Sequence, residues 1–385
     1  MKINGTKACE IKDTRNEKTI LVSIKTNLGI FSASSPTGKS TGKFEKPTYK
    51  KSLEEDIKSL NKLSEIIKKE TIKNFSDLKK IEKLTKKHIG ANTTFALESA
   101  ILKALAKEKK EEVWQLINPQ AKKFPRFLGN CIGGAKHSEG NKKPDFQEFL
   151  IIPKSTSPKE AYETNIMAKK ATGNVLPNID KNFKNKKNDE NAWMTSLNEN
   201  QILNLLKKTK LDLGLDIAAS GFYKRKKYEY LNPPLKRTTP EQIDYISNLI
   251  TNNPNLLYIE DPFDEEDFES FAKLLKKHPD RLIVGDDLTV TSLKKLKKAI
   301  EKKSINAIII KPNQCGSLIE LEQVVKLAKK NNIKIAFSHR SGETAETILA
   351  DLAFGFESDF FKCGIEGDAR TKKFERLIEI EKNLK

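Results

Sequence analysis

Six short apolar runs in the later part of the chain each end on a residue with acid–base or ligand chemistry. They are Leu213-Gly-Leu-Asp216, Leu257-Tyr-Ile-Glu260, Ile283-Val-Gly-Asp286, Ile308-Ile-Ile-Lys311, Ile335-Ala-Phe-Ser-His339 and Phe360-Phe-Lys362. Brought together, Asp216, Glu260 and Asp286 would repel and raise one another's pKa, a conflict that a hard divalent cation removes. An oxygen set this small, with room left for water and substrate, favours Mg²⁺. A lone strand-end acid more often caps the next helix, whereas three in step with strand ends point to one shared site. Lys311 and Lys362 end two further runs. An ammonium near metal ions and a second ammonium has a destabilised charged form and can act as a base near neutral pH; a salt bridge to one of the acids is the alternative that spacing leaves open. His339, Arg340 and Ser341 lie in S-H-R-S-G-E-T (338–344), offering an imidazole, a guanidinium and a hydroxyl in succession. That group suits a phosphate, with Arg340 making paired bonds, although His339 by itself would read as a structural histidine. A base, a metal and an anion grip together suggest removal of a weakly acidic proton next to a carboxylate, with metal stabilisation of the charge that develops.

Such groups converge only if the runs are strands of one array. Successive charged ends after Glu260 are 26, 25, 28 and 23 residues apart, with Lys-rich helical stretches between them. Regular units of that length predict a parallel βα array, its apolar strands buried on both faces. In a (β/α) barrel the catalytic groups sit at the C-terminal ends of the strands, where these charges fall. The step from Asp216 to Glu260 is longer, at 44 residues, and holds Y-K-R-K-K-Y-E-Y (223–230), a candidate inserted β-ribbon. The first third reads differently: strands over 18–26 and 29–34, an amphipathic helix over 52–69, and helices over 74–87 and 93–109. The polar stretches 38–51, 140–144 and 178–191 have loop composition.

The 385 residues carry 71 Lys and Arg against 52 Asp and Glu, a formal charge of +19. Length favours two domains or one large barrel with an appendage. At 37% hydrophobic and 32% charged the chain is globular material with a charged surface, which excludes a disordered protein. The charge invites a nucleic-acid reading, but 63 of the 71 cations are Lys, scattered in pairs among Glu and Asn, as on solvated helix faces. No apolar run approaches the roughly 20 residues of a membrane helix, and the first residues lack a signal-peptide stretch. Four cysteines without metal-ligand spacing fit a reduced, cytoplasmic protein.

With these motifs in view the chain resembles the enolases. The strongest segments are L-G-L-D-I-A-A-S (213–220), E-D-P-F-D-E-E-D (260–267), V-G-D-D-L-T-V-T (284–291), K-P-N-Q-C-G-S (311–317) and S-H-R-S-G-E-T (338–344). Weaker ones are P-T-G-K-S-T-G (36–42), G-N-C-I-G-G-A-K-H (129–137) and D-F-Q-E-F (145–149). The resemblance implies an α/β protein: an N-terminal α+β capping domain (1–120) with a mobile active-site loop, then an enolase-type (β/α)8-like TIM barrel (121–385). It implies the reversible dehydration of 2-phosphoglycerate to phosphoenolpyruvate. Asp216, Glu260 and Asp286 would hold one Mg²⁺, and Ser40 would help hold a second that arrives with substrate. Lys311 would remove the C2 proton. Glu190 would be the general acid for loss of the 3-hydroxyl, with Glu148 as its partner. Lys362 would contact the carboxylate side, Arg340 and Ser341 the phosphate, and His137 and His339 would line the closed pocket. A cytoplasmic homodimer or ring of dimers acting on a small phosphorylated carboxylate follows by the same analogy, with no membrane or nucleic-acid partner.

Four segments depart from the family pattern. S-R-G-N-P-T appears as T-R-N-E-K-T (14–19), Asn191 replaces a glycine in D-E-N-A, Gly221 replaces the glutamate of S-E-F-Y, and Lys39 replaces a small residue beside Ser40. If the glycine at 191 needs positive φ, Asn is its least costly substitute. The departures keep two alternatives in play: a relative acting on another carboxylate, and a basic binding protein without activity. Cys131, Cys315 and Cys363 flank site motifs and read as small buried thiols.

Overall fold

The computed structural model describes residues 1–39, 42–140 and 142–384. The chain opens with an antiparallel meander of β1 (Gly5–Lys12), β2 (Lys18–Thr26) and β3 (Gly29–Ser34). In β2 the period-2 pattern is explicit, with Ile20, Val22 and Ile24 fully buried. β1 has no such pattern, since only Ala8 along it is buried, and it gave no strand signal. Helices Leu53–Ile67, Leu78–Thr85 and Ala91–Lys109 follow. The first starts where Ser52 accepts the Glu55 N–H and buries Leu53, Leu60, Leu63 and Ile67 at helical spacing. The third is buried from Ala91 to Leu102 because it lies between the meander and the second half of the molecule. There Glu98 accepts the Leu318 N–H at 2.6 Å and Asn92 accepts from Asn313 at 2.9 Å.

The remaining strands are β4 (Arg126–Gly133), β5 (Glu148–Ile152), β6 (Trp193–Met194), β7 (Asp212–Asp216), β8 (Tyr223–Lys224), β9 (Lys227–Leu231), β10 (Pro234–Arg237), β11 (Leu256–Glu260), β12 (Leu282–Gly285), β13 (Ala307–Ile310), β14 (Lys334–Ser338) and β15 (Phe360–Lys362). Eight of them close a ring, β4–β5–β7–β11–β12–β13–β14–β15, completed by pairing of β15 with β4. Helices alternate with the strands from β7 onward, so the barrel is the α/β architecture expected from the strand spacing. One strand breaks the expected parallel array: β5 runs antiparallel to both β4 and β7. β4 and β5 follow each other directly, without the helix that a parallel crossover needs. The long step between Asp216 and Glu260 does contain a ribbon, β8–β9–β10, turning through Arg225 and Lys226 at φ 50 and 62.

Period-2 alternation places the site. Leu128, Leu150, Ile152, Tyr258, Val284, Ala307, Ile309, Ala336 and Phe360 fill the barrel interior as one apolar cluster. Ile259, Ile283, Ile308, Phe337 and Phe361 point outward into the larger core under the helices. Two residues beyond the inward Tyr258, Val284, Ile309, Ala336 and Phe360 stand Glu260, Asp286, Lys311, Ser338 and Lys362. The polar residues are thus the uppermost inward layer of the barrel, resting on its apolar filling. Because β5 is reversed, its first residue, Glu148, reaches the same mouth and pairs in register with Asp216. Among the described residues no helix is long and apolar enough to cross a membrane.

Candidate active site

Lys362 sits at the centre of the mouth, 3% exposed. Its ammonium lies 2.7 Å from Asp216 Oδ2, 2.9 Å from both Glu260 oxygens and 3.3 Å from Glu148 Oε2. Burial opposes its charge, but Asp216, Glu148 and Glu260 outweigh that and hold its pKa well above the ordinary value. Glu260 also accepts from the Tyr258 hydroxyl at 2.8 Å. Burial and the neighbouring Asp216 push Glu260 up to about 8, against the pull of Lys362. One strand further round, Lys311 is ion-paired with Asp286. Burial lowers the Lys311 pKa and Asp286 raises it, with a net upward shift, so the ammonium is favoured. The expectation of a Lys311 poised to lose its proton is thus reversed in the protein by itself, because Asp286 lies within bonding reach.

The three acids expected to share a cation are therefore engaged by two lysines, Asp216 and Glu260 by Lys362 and Asp286 by Lys311. Their chemistry still fits a hard cation: Asp286 Oδ1 is a buried oxygen without a hydrogen-bond partner. Among the described residues, Asp261, Asp286 and Asp287 form one group of three whose ligand atoms lie within 4.8 Å of one another, and His137, Glu148 and Glu190 form a second. Asp261 was not anticipated. Its two oxygens accept the backbone N–H groups of Asp286 and Asp287 at 3.0 and 2.6 Å, fixing the end of β12. The E-D and D-D doublets at 260–261 and 286–287 were the only trace of it in the sequence.

On the far side, Glu190 accepts from Asn130 at 3.0 Å, with His339 Nε2 3.6 Å and His137 Nδ1 3.8 Å away. Burial would raise its pKa, but His339, His137 and Arg370 outweigh burial and hold Glu190 ionised. Glu148 is the opposite case, raised well above the carboxylate range by burial despite Lys362, with Glu190 adding to the rise. The two carboxyls, within 4.8 Å of each other, are thus driven apart in acidity, Glu148 toward its protonated form and Glu190 toward the carboxylate. His339 Nδ1 accepts from Arg370 Nε at 3.2 Å, which leaves the ring neutral, and burial lowers its pKa further. His137 Nδ1 meets Asp189 at 3.0 Å; burial disfavours its charge, yet Glu190 and Asp189 raise its pKa overall.

Arg340 and Ser341 form the rim near the N-terminal segment. Both guanidinium ends of Arg340 meet Glu45 at 3.1 Å, and Nη1 donates to Asn313 at 3.2 Å. A Cβ on Gly38 would lie 1.9 Å from Arg340 Nη2, so a side chain there would displace the guanidinium. Ser341 Oγ accepts from Arg15 at 2.7 Å and from the Lys39 N–H at 2.8 Å. Glu45, Asn313, Arg15 and Asp189 were not singled out in the sequence; each meets its partner across a large separation that local spacing does not encode. All the expected site residues line one cleft except Glu260, buried behind Lys362, and Ser40, which lies outside the described residues.

A family model described as "Enolase, C-terminal TIM barrel domain" matches residues 121–385. A curated protein named Enolase from Methanosphaera stadtmanae is 35% identical over 97% of this chain and 95% of its own. One of the same name from Sulfolobus acidocaldarius is 33% identical over 99% and 95%. Another from Pyrobaculum aerophilum is 39% identical over 68% and 64%. The chain belongs to the enolase family. Set in an enolase framework, the departures acquire structural reasons. Asn191 has φ 62 and Asn16 has φ 61, so at both positions asparagine stands for glycine in the left-handed region it tolerates best. T-R-N-E-K-T still braces the Arg340–Ser341 rim, through Thr14 on Glu343 and Arg15 on Ser341. A Cβ at Gly221 would meet only Lys136, at 3.9 Å, so nothing crowds the position of the lost glutamate. Burial pushes the Cys131 and Cys363 thiols up to about 11 and about 12, as inert packing groups.

Proposed function

We propose that this chain is a phosphopyruvate hydratase, interconverting 2-phosphoglycerate and phosphoenolpyruvate. One observation carries the reading: Lys311 and the Glu148–Glu190 pair stand on opposed sides of the ring. β13 and β5 are four steps apart in an eight-strand barrel, so a substrate between them meets a base on one face and a proton donor on the other. Lys311 takes the C2 proton in its neutral form, which Asp286 opposes in the substrate-free protein and which Arg340 and Lys362 favour once Asp286 is drawn away. A proton held by the Glu148–Glu190 pair leaves with the 3-hydroxyl; entry of an anionic substrate raises the Glu190 pKa and draws the proton toward it. Lys362 orients the substrate carboxylate, Arg340 and Ser341 the phosphate, while His137 and His339 close the pocket around the leaving group.

Asp216, Glu260 and Asp286 would hold one Mg²⁺ and Ser40 would contribute to a second, supplying positive charge to the substrate carboxylate as C2 loses its proton. A capping unit over 1–120 on a barrel over 121–385, assembled as a cytoplasmic homo-oligomer, completes the proposal. The test follows phosphoenolpyruvate absorbance with Mg²⁺ and with chelator, together with exchange of the C2 proton into solvent. Lys311→Ala is expected to lose both exchange and elimination. Glu190→Gln is expected to lose elimination and keep exchange. Exchange without elimination in the unaltered protein would instead indicate a different carboxylate substrate, and salt-sensitive RNA binding without turnover a binding protein.

A further inference from the structure

Lys39 is the departure that the chemistry above leaves unused. The segment that carries it is tied to the barrel at several points. Thr37 and Gly342 exchange backbone hydrogen bonds at 2.7 and 2.9 Å, and the Lys39 N–H donates to Ser341 Oγ at 2.8 Å. Beyond it, Lys43 reaches Glu265 through its N–H at 3.0 Å and Glu266 through its ammonium at 2.9 Å. These ties all run to the β11 and β14 sides of the mouth. The Lys39 ammonium goes the other way, to Asp189 Oδ2 at 3.2 Å. Among the described residues it is the one hydrogen bond from this segment to the loop that carries Glu190. Asp189 uses its other oxygen on His137 Nδ1, at 3.0 Å, and His137 in turn faces Glu190.

We propose that Lys39 is a positioning residue: its ion pair with Asp189 ties the Thr37–Lys39 stretch across the cleft and, through Asp189, sets His137 beside Glu190. The small residue expected at this position has no reach, so the latch is a property of this chain. The Lys39 side chain is 43% exposed and Asp189 14% exposed, so the pair is worth what a surface ion pair is worth, up to about five-fold in an equilibrium, and it weakens with salt. A latch of that strength acts on how long substrate is retained, and so on KM before kcat.

The proposal rests on the hydratase reading for its kinetic arm, and a second arm is independent of turnover. Lys39→Ala and Asp189→Asn are each expected to raise KM about two- to five-fold at low salt. The double variant should be no worse than the poorer single one, Lys39→Arg should restore the parent value, and the Lys39→Asp, Asp189→Lys exchange should recover part of it. In substrate-free protein, Asp189→Asn should speed tryptic cleavage after Lys39 by a similar factor. Additive losses, or an effect of Lys39→Ala with none from Asp189→Asn, would mean that Lys39 acts on the substrate's charge directly and would overturn the latch. Unchanged cleavage in Asp189→Asn would overturn it as well. An unaltered protein without turnover counts against the hydratase reading alone, and the cleavage comparison then decides the latch.

Discussion

Asparagine at positions 16 and 191 shows how a chain poor in glycine meets a backbone demand. An L residue in the left-handed region costs roughly 1–2 kcal/mol, and asparagine reduces that through local hydrogen bonding. Asn191 adds one bond, from Nδ2 to the Glu366 carbonyl at 3.4 Å, and its neighbour is Glu190. Asn191→Gly is therefore expected to leave thermal stability nearly unchanged. Asn191→Val should cost about 1–2 kcal/mol in denaturant melts and reduce turnover, because the strained turn displaces Glu190. Glu199 provides a test by pH, away from the cleft. It is 2% exposed and accepts the Asp145 N–H at 2.8 Å, and burial lifts its pKa from 4.5 to about 7. A carboxyl whose pKa is raised on folding binds its proton more tightly in the native state, so native stability falls as pH rises from 4.5 to about 7. Glu199→Gln should gain on the parent protein through that window, from no difference in acid to about 3 kcal/mol above pH 7.

At the scale of elements, Asp145 is a side chain that joins the β8–β10 ribbon to the reversed β5. Asp145, three residues before Glu148, accepts the N–H groups of Leu231 and Asn232 at 2.9 Å each. The end of β9 thereby holds the segment that leads into β5. Asp145→Ala strands two N–H groups and is expected to cost about 2–4 kcal/mol of stability and lower kcat by displacing Glu148; Asp145→Asn, which keeps one acceptor oxygen, should lose less in the same denaturation series. The inserted ribbon and the strand ends were legible in the sequence because each has a local pattern: a Lys-rich turn between aromatic runs, or an apolar run closed by a charge. The direction of β5 was not legible, since Glu-Phe-Leu-Ile-Ile reads alike for a strand entering or leaving the mouth. β1 was invisible because, apart from Ala8, it buries none of its residues. The state of Lys311 was hidden for a different reason. Spacing located both it and Asp286, but which lysine each acid takes depends on contacts between strands.

For the whole molecule, the charge of +19 is spread over a surface on which many lysines already face acids, as in Lys18–Glu10, Lys58–Glu55 and Lys277–Asp244. Such pairs add little stability, but the surplus leaves a positive field around the cleft. Raising ionic strength from about 10 mM to about 150 mM shortens the Debye length from about 30 Å to about 8 Å. kcat/KM for the phosphorylated substrate is expected to fall several-fold over that range with kcat nearly constant, as followed in initial-rate series. The way the ring closes bears on how the molecule is made. β15 completes the barrel by pairing with β4, across more than 230 residues of chain, whereas the opening meander and its helices are complete by Lys109. A chain growing from the ribosome can therefore assemble its first unit early. The mouth is the last part to exist: until Phe360–Lys362 emerges, residues 126–128 of β4 and the edge of β14 are unpaired, and a chain stopped short of that point carries two adhesive flanks instead of an enzyme.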